Sequence, residues 1–409
     1  MVLLGPLGAA SMITRLQLKN FRSHAFSEIS LEPINLLVGP TGAGKSNVFK
    51  ALAMLQNLIH HELAELFPPG LGEFQWVRSR WAGETDPISF EVDLTEVEGH
   101  AGTAFRYHLS IADSPAGLYV LAEKLQQKSG EDDWQWVFQR RGGAKRMGEF
   151  GEVSAYEPSL LYKTLRDQVA TPDAPNVQAA KAVARALSSV GYYHLEVSEL
   201  KSLGSGQSTD RIDYYGGRLP DVLACLKSTP EYAPAYQAIF EGLRELLPDV
   251  ETILVTQVGP GRQGIALSFK GHHGSISARD VSDGTALTLG LLSILHGPKR
   301  PALLCLEEPE TGLHPRRLRW LFDRMVNLAY PDEGQRRTQI ILTTHSPDLV
   351  NLFGEMPEAV KVVDWRAEPS GVRASRVTRL PEILAKLQGP GEVAESIGHA
   401  WATGLYESL

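Results

Sequence analysis

Val38-Gly39-Pro40-Thr41-Gly42-Ala43-Gly44-Lys45-Ser46 fits G-x-x-x-x-G-K-[ST], the phosphate-binding P-loop. Ile34-Asn35-Leu36-Leu37-Val38, just before it, reads as a short buried strand. From Ser46 to about His61, apolar Val48, Leu52, Leu55 and Ile59 recur at helical spacing. Strand, glycine loop and helix therefore follow in the order the motif requires. Glycines let backbone N–H groups turn toward an anion, and the helix N-terminus adds partial positive charge. Lys45 is placed to reach β- and γ-phosphates and Ser46 to hold Mg²⁺. Gly39, Pro40, Thr41, Gly42, Ala43, Gly44, Lys45, Ser46 and Asn47 form the expected nucleotide-binding set.

The chain has 409 residues, 43% of them hydrophobic, enough for a large core and two or three structural units. Its net charge of -8 gives no global signature of a nucleic-acid binder, so any such contact needs a local patch. Two cysteines, Cys225 and Cys305, make neither a disulfide framework nor a zinc spacing and point to a reducing, cytoplasmic setting. No apolar run approaches the roughly 18 residues that span a bilayer.

Residues 1–11 are small and apolar without a basic segment, and are read as a disordered or non-native extension. Residues 12–155 are expected to form an N-terminal lobe holding the P-loop and an antiparallel sheet. Ile13 to Phe21 and Ala25 to Leu31 pair as strands around the turn Arg22-Ser23-His24. About four more alternating runs lie between Asp86 and Arg140. Residues 156–250 read as a mostly helical insertion, serving as an arm or dimerisation element. Residues 251–365 read as a C-terminal lobe whose apolar strands Ala302–Leu306 and Gln339–Thr343 suit a parallel sheet buried on both faces. Residues 366–409 read as a tail with two amphipathic helical pieces, around Ile383 and Ile397. The fold class is α/β, a P-loop NTPase with a mixed sheet, an N-terminal antiparallel β subdomain and a helical insertion.

Three further stretches carry chemistry. In Ala302-Leu303-Leu304-Cys305-Leu306-Glu307-Glu308-Pro309-Glu310, two adjacent carboxylates end a buried strand, where an open α/β sheet places its ligands. This is the layout of a Walker B strand, with Glu307 for the metal and Glu308 as general base. In Ile340-Ile341-Leu342-Thr343-Thr344-His345, a second buried strand ends in a histidine that can bond the γ-phosphate or orient water; the plain alternative is a structural histidine. In Val281-Ser282-Asp283-Gly284-Thr285, Ser282 is a good N-cap and Gly284 leaves room for an anion, although an ordinary capped helix reads the same way.

Together these motifs resemble the ABC-type ATPase heads of the SMC/Rad50/RecF group, and most of all the stand-alone OLD-like AAA-family ATPases of bacterial defence and toxin–antitoxin loci. The resemblance covers about 12–95 and 276–365. It implies that Arg22 and Ser23 of Asn20-Phe21-Arg22-Ser23-His24 lie near the α-phosphate or ribose. It implies that Ser282 and Gly284 bind the γ-phosphate of ATP held by the opposite subunit, and that His345 is the switch histidine. Glu310 to Pro315 aligns with the D-loop. Thr41 stands where these P-loops commonly have Asn, and Glu307 replaces the usual Asp, lengthening its reach by one methylene. Gln75 is a candidate Q-loop residue; Arg78 and Arg80 are either a sensing loop or solvated arginines.

The expected cofactors are ATP and Mg²⁺. The expected partners are a second copy, as a homodimer or higher even oligomer, and a separately encoded effector, nuclease or toxin; nucleic acid is a further candidate and a membrane is not. A Toprim nuclease needs a glutamate and an Asp-x-Asp on about a hundred residues. Only 45 residues follow Asp364, without Asp-x-Asp, so no nuclease is expected in this chain. His60-His61 and His272-His273 lack ligand-spaced partners. Trp134 and Trp136, followed by Arg140 and Arg141, form either a base-stacking platform or one packed face of a sheet.

Overall fold

The computed structural model describes residues 11–67, 74–83, 85–142, 145–146, 148–154, 156–367, 373–387 and 397–404. The reading of 1–11 as an extension lies, but for Ser11, outside them. The architecture is mixed α/β, as expected. Two compact units account for the chain: one of 1–190, 302–304 and 326–409, the other of 191–301 and 305–325. Among the described residues no helix is long and apolar enough to cross a membrane.

In the first unit a six-stranded antiparallel sheet runs in the order His24–Ser30, Met12–Phe21, Ile88–Thr95, Thr103–Ser114, Gly117–Ser129, Gln135–Arg141. The four runs read after Asp86 thus extend the first hairpin. Strict alternation explains the pairing: in Ile88–Thr95 every second residue is buried. On the strand Gln135–Arg141, Trp136 is 50% exposed. Arg140 is buried in an ion pair with Glu123, 3.4 Å away, and Trp134 lies under the Arg106 guanidinium at 4.6 Å. Glu123, fully buried, also accepts the Tyr107 hydroxyl at 2.9 Å and the Leu160 amide at 2.8 Å. A buried carboxylate survives only with such a full set of donors.

A second sheet holds the glycine loop. Ile34–Val38, buried at every position, pairs in parallel with Gln339–Thr343 on one side and Val360–Ala367 on the other. Val360–Ala367 then pairs antiparallel with Arg373–Arg379. That last strand corrects the reading of 366–409 as a helical tail: helices Leu380–Leu387 and Ile397–Ala402 exist, but a strand precedes them. It is the last strand in this sheet's order, with only Ala374 and Ser375 buried, so its polar sequence hid it. Because Ile34–Val38 and Gln339–Thr343 are parallel, with Leu37 opposite Thr343, the loops after them leave the same edge of the sheet.

The second unit packs helices around Asp283–Leu295, whose residues from Gly284 onward are all buried. Helices Leu219–Ser228 and Ala233–Leu246 lie against it, beside an antiparallel sheet of Val250–Gly259, Arg262–Phe269 and Ser275–Ser277. Helices read as an insertion ending at 250 and strands read as opening the next lobe therefore share one unit.

Candidate functional site

The loop after Ile34–Val38 turns only because glycines stand where it does. Gly39 has φ 148, and a Cβ there would fall 1.9 Å from the Val363 carbonyl oxygen. Gly44, at φ 107, begins the helix Lys45–His60 with no side-chain cap, and its first turn carries no acidic residue. No side chain caps that 16-residue helix, and its Asn47 amide turns back to the Gly44 carbonyl at 3.0 Å; a helix N-terminus opened by a glycine loop suits a phosphate. Lys45, buried at 6% exposure, donates to the carbonyls of Gly39 at 2.7 Å and Pro40 at 3.0 Å. Its Nζ lies 3.1 Å from His345 Nε2. Residues 300 apart in sequence meet because their strands are parallel neighbours. The same Lys45–His345 pairing places a cation and an imidazole beside the helix N-terminus, an arrangement suited to a phosphate chain.

The turn after Met12–Phe21 clamps the loop from the other side. Asn20 and Arg22 both have positive φ, 56 and 50, and Ser23 follows. Asn47 Nδ2 donates to Ser23 Oγ at 2.7 Å, and the Ser375 amide donates to the Ser23 carbonyl at 2.8 Å. Ser375 Oγ donates to the Ala43 carbonyl at 2.5 Å. His24 Nε2 lies 3.1 Å from the Gly44 carbonyl oxygen and Nδ1 2.8 Å from the Ser27 hydroxyl, which itself reaches the Ser375 carbonyl at 3.2 Å. Sequence reasoning missed Ser375 and gave His24 no role. A Cβ at Gly44 would lie 2.3 Å from Ser375 Oγ and 2.6 Å from Ser23 Oγ, so the clamp and the glycine are matched.

Burial outweighs that carbonyl contact and lowers the His24 imidazole to about 4. The folded clamp therefore keeps a neutral ring where an unfolded chain, titrating near 6.5, takes up a proton. Stability is full above pH 6.5 and is lost as the pH falls from 6.5 toward 4. Between pH 7 and pH 5 the loss from His24 is expected to be about 2 kcal/mol. His296, also lowered to about 4 by burial first, acts in the same direction. Urea unfolding of wild type and His24→Gln at the two pH values isolates the His24 share; an equal pH response in both would contradict it.

Arg22 and Ser23 open a cavity of about 440 Å³ whose other walls include Trp76, Trp81 and Trp365. Arg78, Arg80 and Arg373 complete its lining. Burial lowers the Arg22 guanidinium from its ordinary value. Of the two arginines read as a sensing loop, Arg78 pairs with Asp113 at 2.8 Å and Arg80 is exposed. Gln75 sits exposed on the short helix Phe74–Val77. Cationic edges with indole faces suit a planar, anionic ligand.

The second unit holds the two carboxylates and the capped helix. Glu307 ends the strand Leu303–Glu307. Glu308 follows at φ 44, a left-handed conformation that a non-glycine residue adopts at a cost of about 1–2 kcal/mol. Such strain turns the chain sharply and gives adjacent carboxylates different directions. The Tyr192 hydroxyl donates to Glu307 Oε1 at 2.6 Å, and burial, ahead of that carboxylate, raises the Tyr192 phenol. Ser282 caps its helix as expected, accepting the Thr285 amide at 3.3 Å. The space beside Gly284 is taken: a Cβ would lie 3.0 Å from Arg317 Nη1 and 3.2 Å from the Gly312 carbonyl. Gly284 thus serves close packing on the segment after Glu310. Cys305 is fully buried core, and His272 and His273 are exposed.

Ser46 in the first unit carries a hydroxyl and Glu307 in the second a carboxylate, each an oxygen donor of the kind Mg²⁺ takes. Among the described residues no group of three or more His, Cys, Asp or Glu is arranged to hold a metal. A single protein carboxylate such as Glu307 suits an ion that arrives with a nucleotide's phosphates and keeps part of its coordination there.

Residues 239–351 match a model described as an AAA domain, putative AbiEii toxin, Type IV TA system, and residues 15–55 match a second AAA domain. A stretch of 44 residues is 50% identical to the DNA double-strand break repair Rad50 ATPase of Methanopyrus kandleri (strain AV19); it is 10% of this chain and 5% of that protein. Among solved structures, an Smc head domain bound to the C-terminal domain of ScpA, from Pyrococcus furiosus, is 11% identical over 92% of this chain and 99% of its own, with a TM-score of 0.48. The SMC head domain from Thermotoga maritima is 13% identical over 90% and 98%, with a TM-score of 0.39. Both family matches are to AAA domains, and the 44-residue likeness is to part of an ATPase.

Proposed function

We propose that this chain is an ATP hydrolase that closes as a homodimer, or higher even oligomer, around ATP and so gates a separately encoded effector in phage defence or DNA repair. The observation that carries the reading is the glycine loop that opens the helix Lys45–His60, with Lys45 and His345 at its mouth, 3.1 Å apart. Lys45 would leave its loop carbonyls for the β- and γ-phosphates, where fixed positive charge stabilises the transferring phosphoryl group. Glu308 would take the proton of the attacking water, and His345 would hold that water or a γ-oxygen. Ser46 and Glu307 are the residues that would hold Mg²⁺, which would supply charge neutralisation at the phosphates. The base and ribose would occupy the cavity that starts at Arg22 and Ser23. Ser282 would complete the γ-phosphate site of a second copy. The match of 239–351 to a domain described as a putative toxin of a toxin–antitoxin system supports a role in such a system.

Mass in solution tests the proposal. ATP with Mg²⁺ is expected to double the 44.8 kDa chain. An unchanged mass with ATP bound would contradict it.

A second reading is an ATP-switched nucleic-acid binder, with hydrolysis only resetting it. The Trp76, Trp81 and Arg80 walls of the cavity favour it, since bases stack on indoles and phosphates seek arginine. ATP-stimulated DNA binding that falls steeply with salt would select it.

A further inference from the structure

We infer that Tyr192, Tyr214 and His194 are positioning residues for magnesium: they hold the Glu307 carboxylate in the orientation in which it takes the ion. The inference rests on the reading of Glu307 as the metal carboxylate. It starts from how completely that side chain, 12% exposed, is held. Tyr192 donates its hydroxyl to Oε1 at 2.6 Å. The Tyr214 hydroxyl lies 3.3 Å from Oε2 and 3.2 Å from the Tyr192 oxygen, so its one proton serves either acceptor. His194 Nδ1 stands 3.4 Å from Oε2, within ion-pair range but without a well-directed hydrogen bond.

The three holders are themselves fixed. The His194 amide donates to the Tyr214 carbonyl at 2.9 Å, and the Glu196 amide to the Tyr215 carbonyl at 2.9 Å. Two backbone bonds thus tie the loop with Tyr214 to the segment with Tyr192 and His194. The rings of Tyr192 and Tyr214 pack at 4.6 Å between centroids, and those of Tyr214 and Tyr215 at 4.5 Å. Asp213 accepts the Tyr215 amide at 3.1 Å and the Gly217 amide at 2.8 Å, closing the turn that presents these rings.

A glutamate needs such support. It has one more rotatable bond than aspartate, and a freely rotating arm loses entropy each time it is fixed on an ion. Tyrosine donors on one edge of each oxygen restrict the arm while leaving lone pairs of the carboxylate for a metal, since it has about four acceptor sites. Hydrogen bonds behind a ligand typically contribute about 10–100-fold to metal affinity.

The test titrates Mg²⁺ into the full chain with a non-hydrolysable ATP analogue and reads analogue binding. Tyr192→Phe keeps the ring and removes the donor. It is expected to weaken the Mg²⁺ dependence by about tenfold, with binding in EDTA unchanged. In a Glu307→Gln background the same change is expected to have no further effect, because coupled residues are non-additive. Melting temperatures confirm that each variant folds. If Glu307→Gln removes the Mg²⁺ dependence and Tyr192→Phe leaves it alone, or tightens it, the inference is overturned while the metal reading of Glu307 stands. If Glu307→Gln itself changes nothing, the metal reading fails and the inference with it.

Discussion

Glu308→Gln is expected to lower ATP turnover by about 10²–10⁴-fold while ATP still binds. The amide keeps the size of the side chain and its hydrogen-bonding oxygen but cannot accept a proton from water. The backbone at this position argues for a chemical role. Glu308 sits at φ 44 directly after a buried strand, where a glycine would be relaxed. Strain of this kind persists where a side chain must point in one direction. Phosphate release measured beside equilibrium ATP binding separates the two effects. Turnover within a few-fold of wild type would remove Glu308 from the chemistry, and lost binding would make its role structural.

Lys45→Ala is expected to reduce turnover by about 10²–10³-fold, as removal of a fixed transition-state donor does, and to weaken ATP binding as well. Lys45 is buried, and two loop carbonyls and His345 lie within 3.1 Å of its Nζ. Its ammonium is therefore held within the loop before any phosphate arrives, and on binding it would exchange those carbonyls for phosphate oxygens. Without it the carbonyls of Gly39 and Pro40 face the polyphosphate with unbalanced negative dipoles. Binding of a fluorescent ATP analogue and phosphate release, measured on the same variant, check both effects. Wild-type affinity in Lys45→Ala would mean that nucleotide, if bound, lies elsewhere.

The local parts of this site are legible in the sequence. Strand, loop and helix at 34–60 are contiguous, and each announces itself by pattern. The meeting of Lys45 with His345 follows once both strands are taken as parallel. What stays hidden is long-range and unpatterned. Ser375 clamps Ala43 from an edge strand 332 residues away whose sequence is mostly polar. Tyr192 and Tyr214 reach Glu307 from a segment with no motif, and only folding brings them to it. Gly284 shows the opposite failure. A glycine reads equally as room for an anion or room for a carbonyl, and here the Gly312 carbonyl and Arg317 fill the room.

The central claim is that one copy of the chain holds an incomplete site. Light scattering on Glu308→Gln tests it most directly, because blocked hydrolysis preserves any ATP-bound assembly. A chain of 44.8 kDa is expected to run as one copy without nucleotide and to double in mass with ATP and Mg²⁺. The double substitution Glu308→Gln with Ser282→Arg is expected to bind ATP without that change. A Glu308→Gln chain that binds ATP and hydrolyses nothing, yet keeps one mass with and without it, would contradict the account.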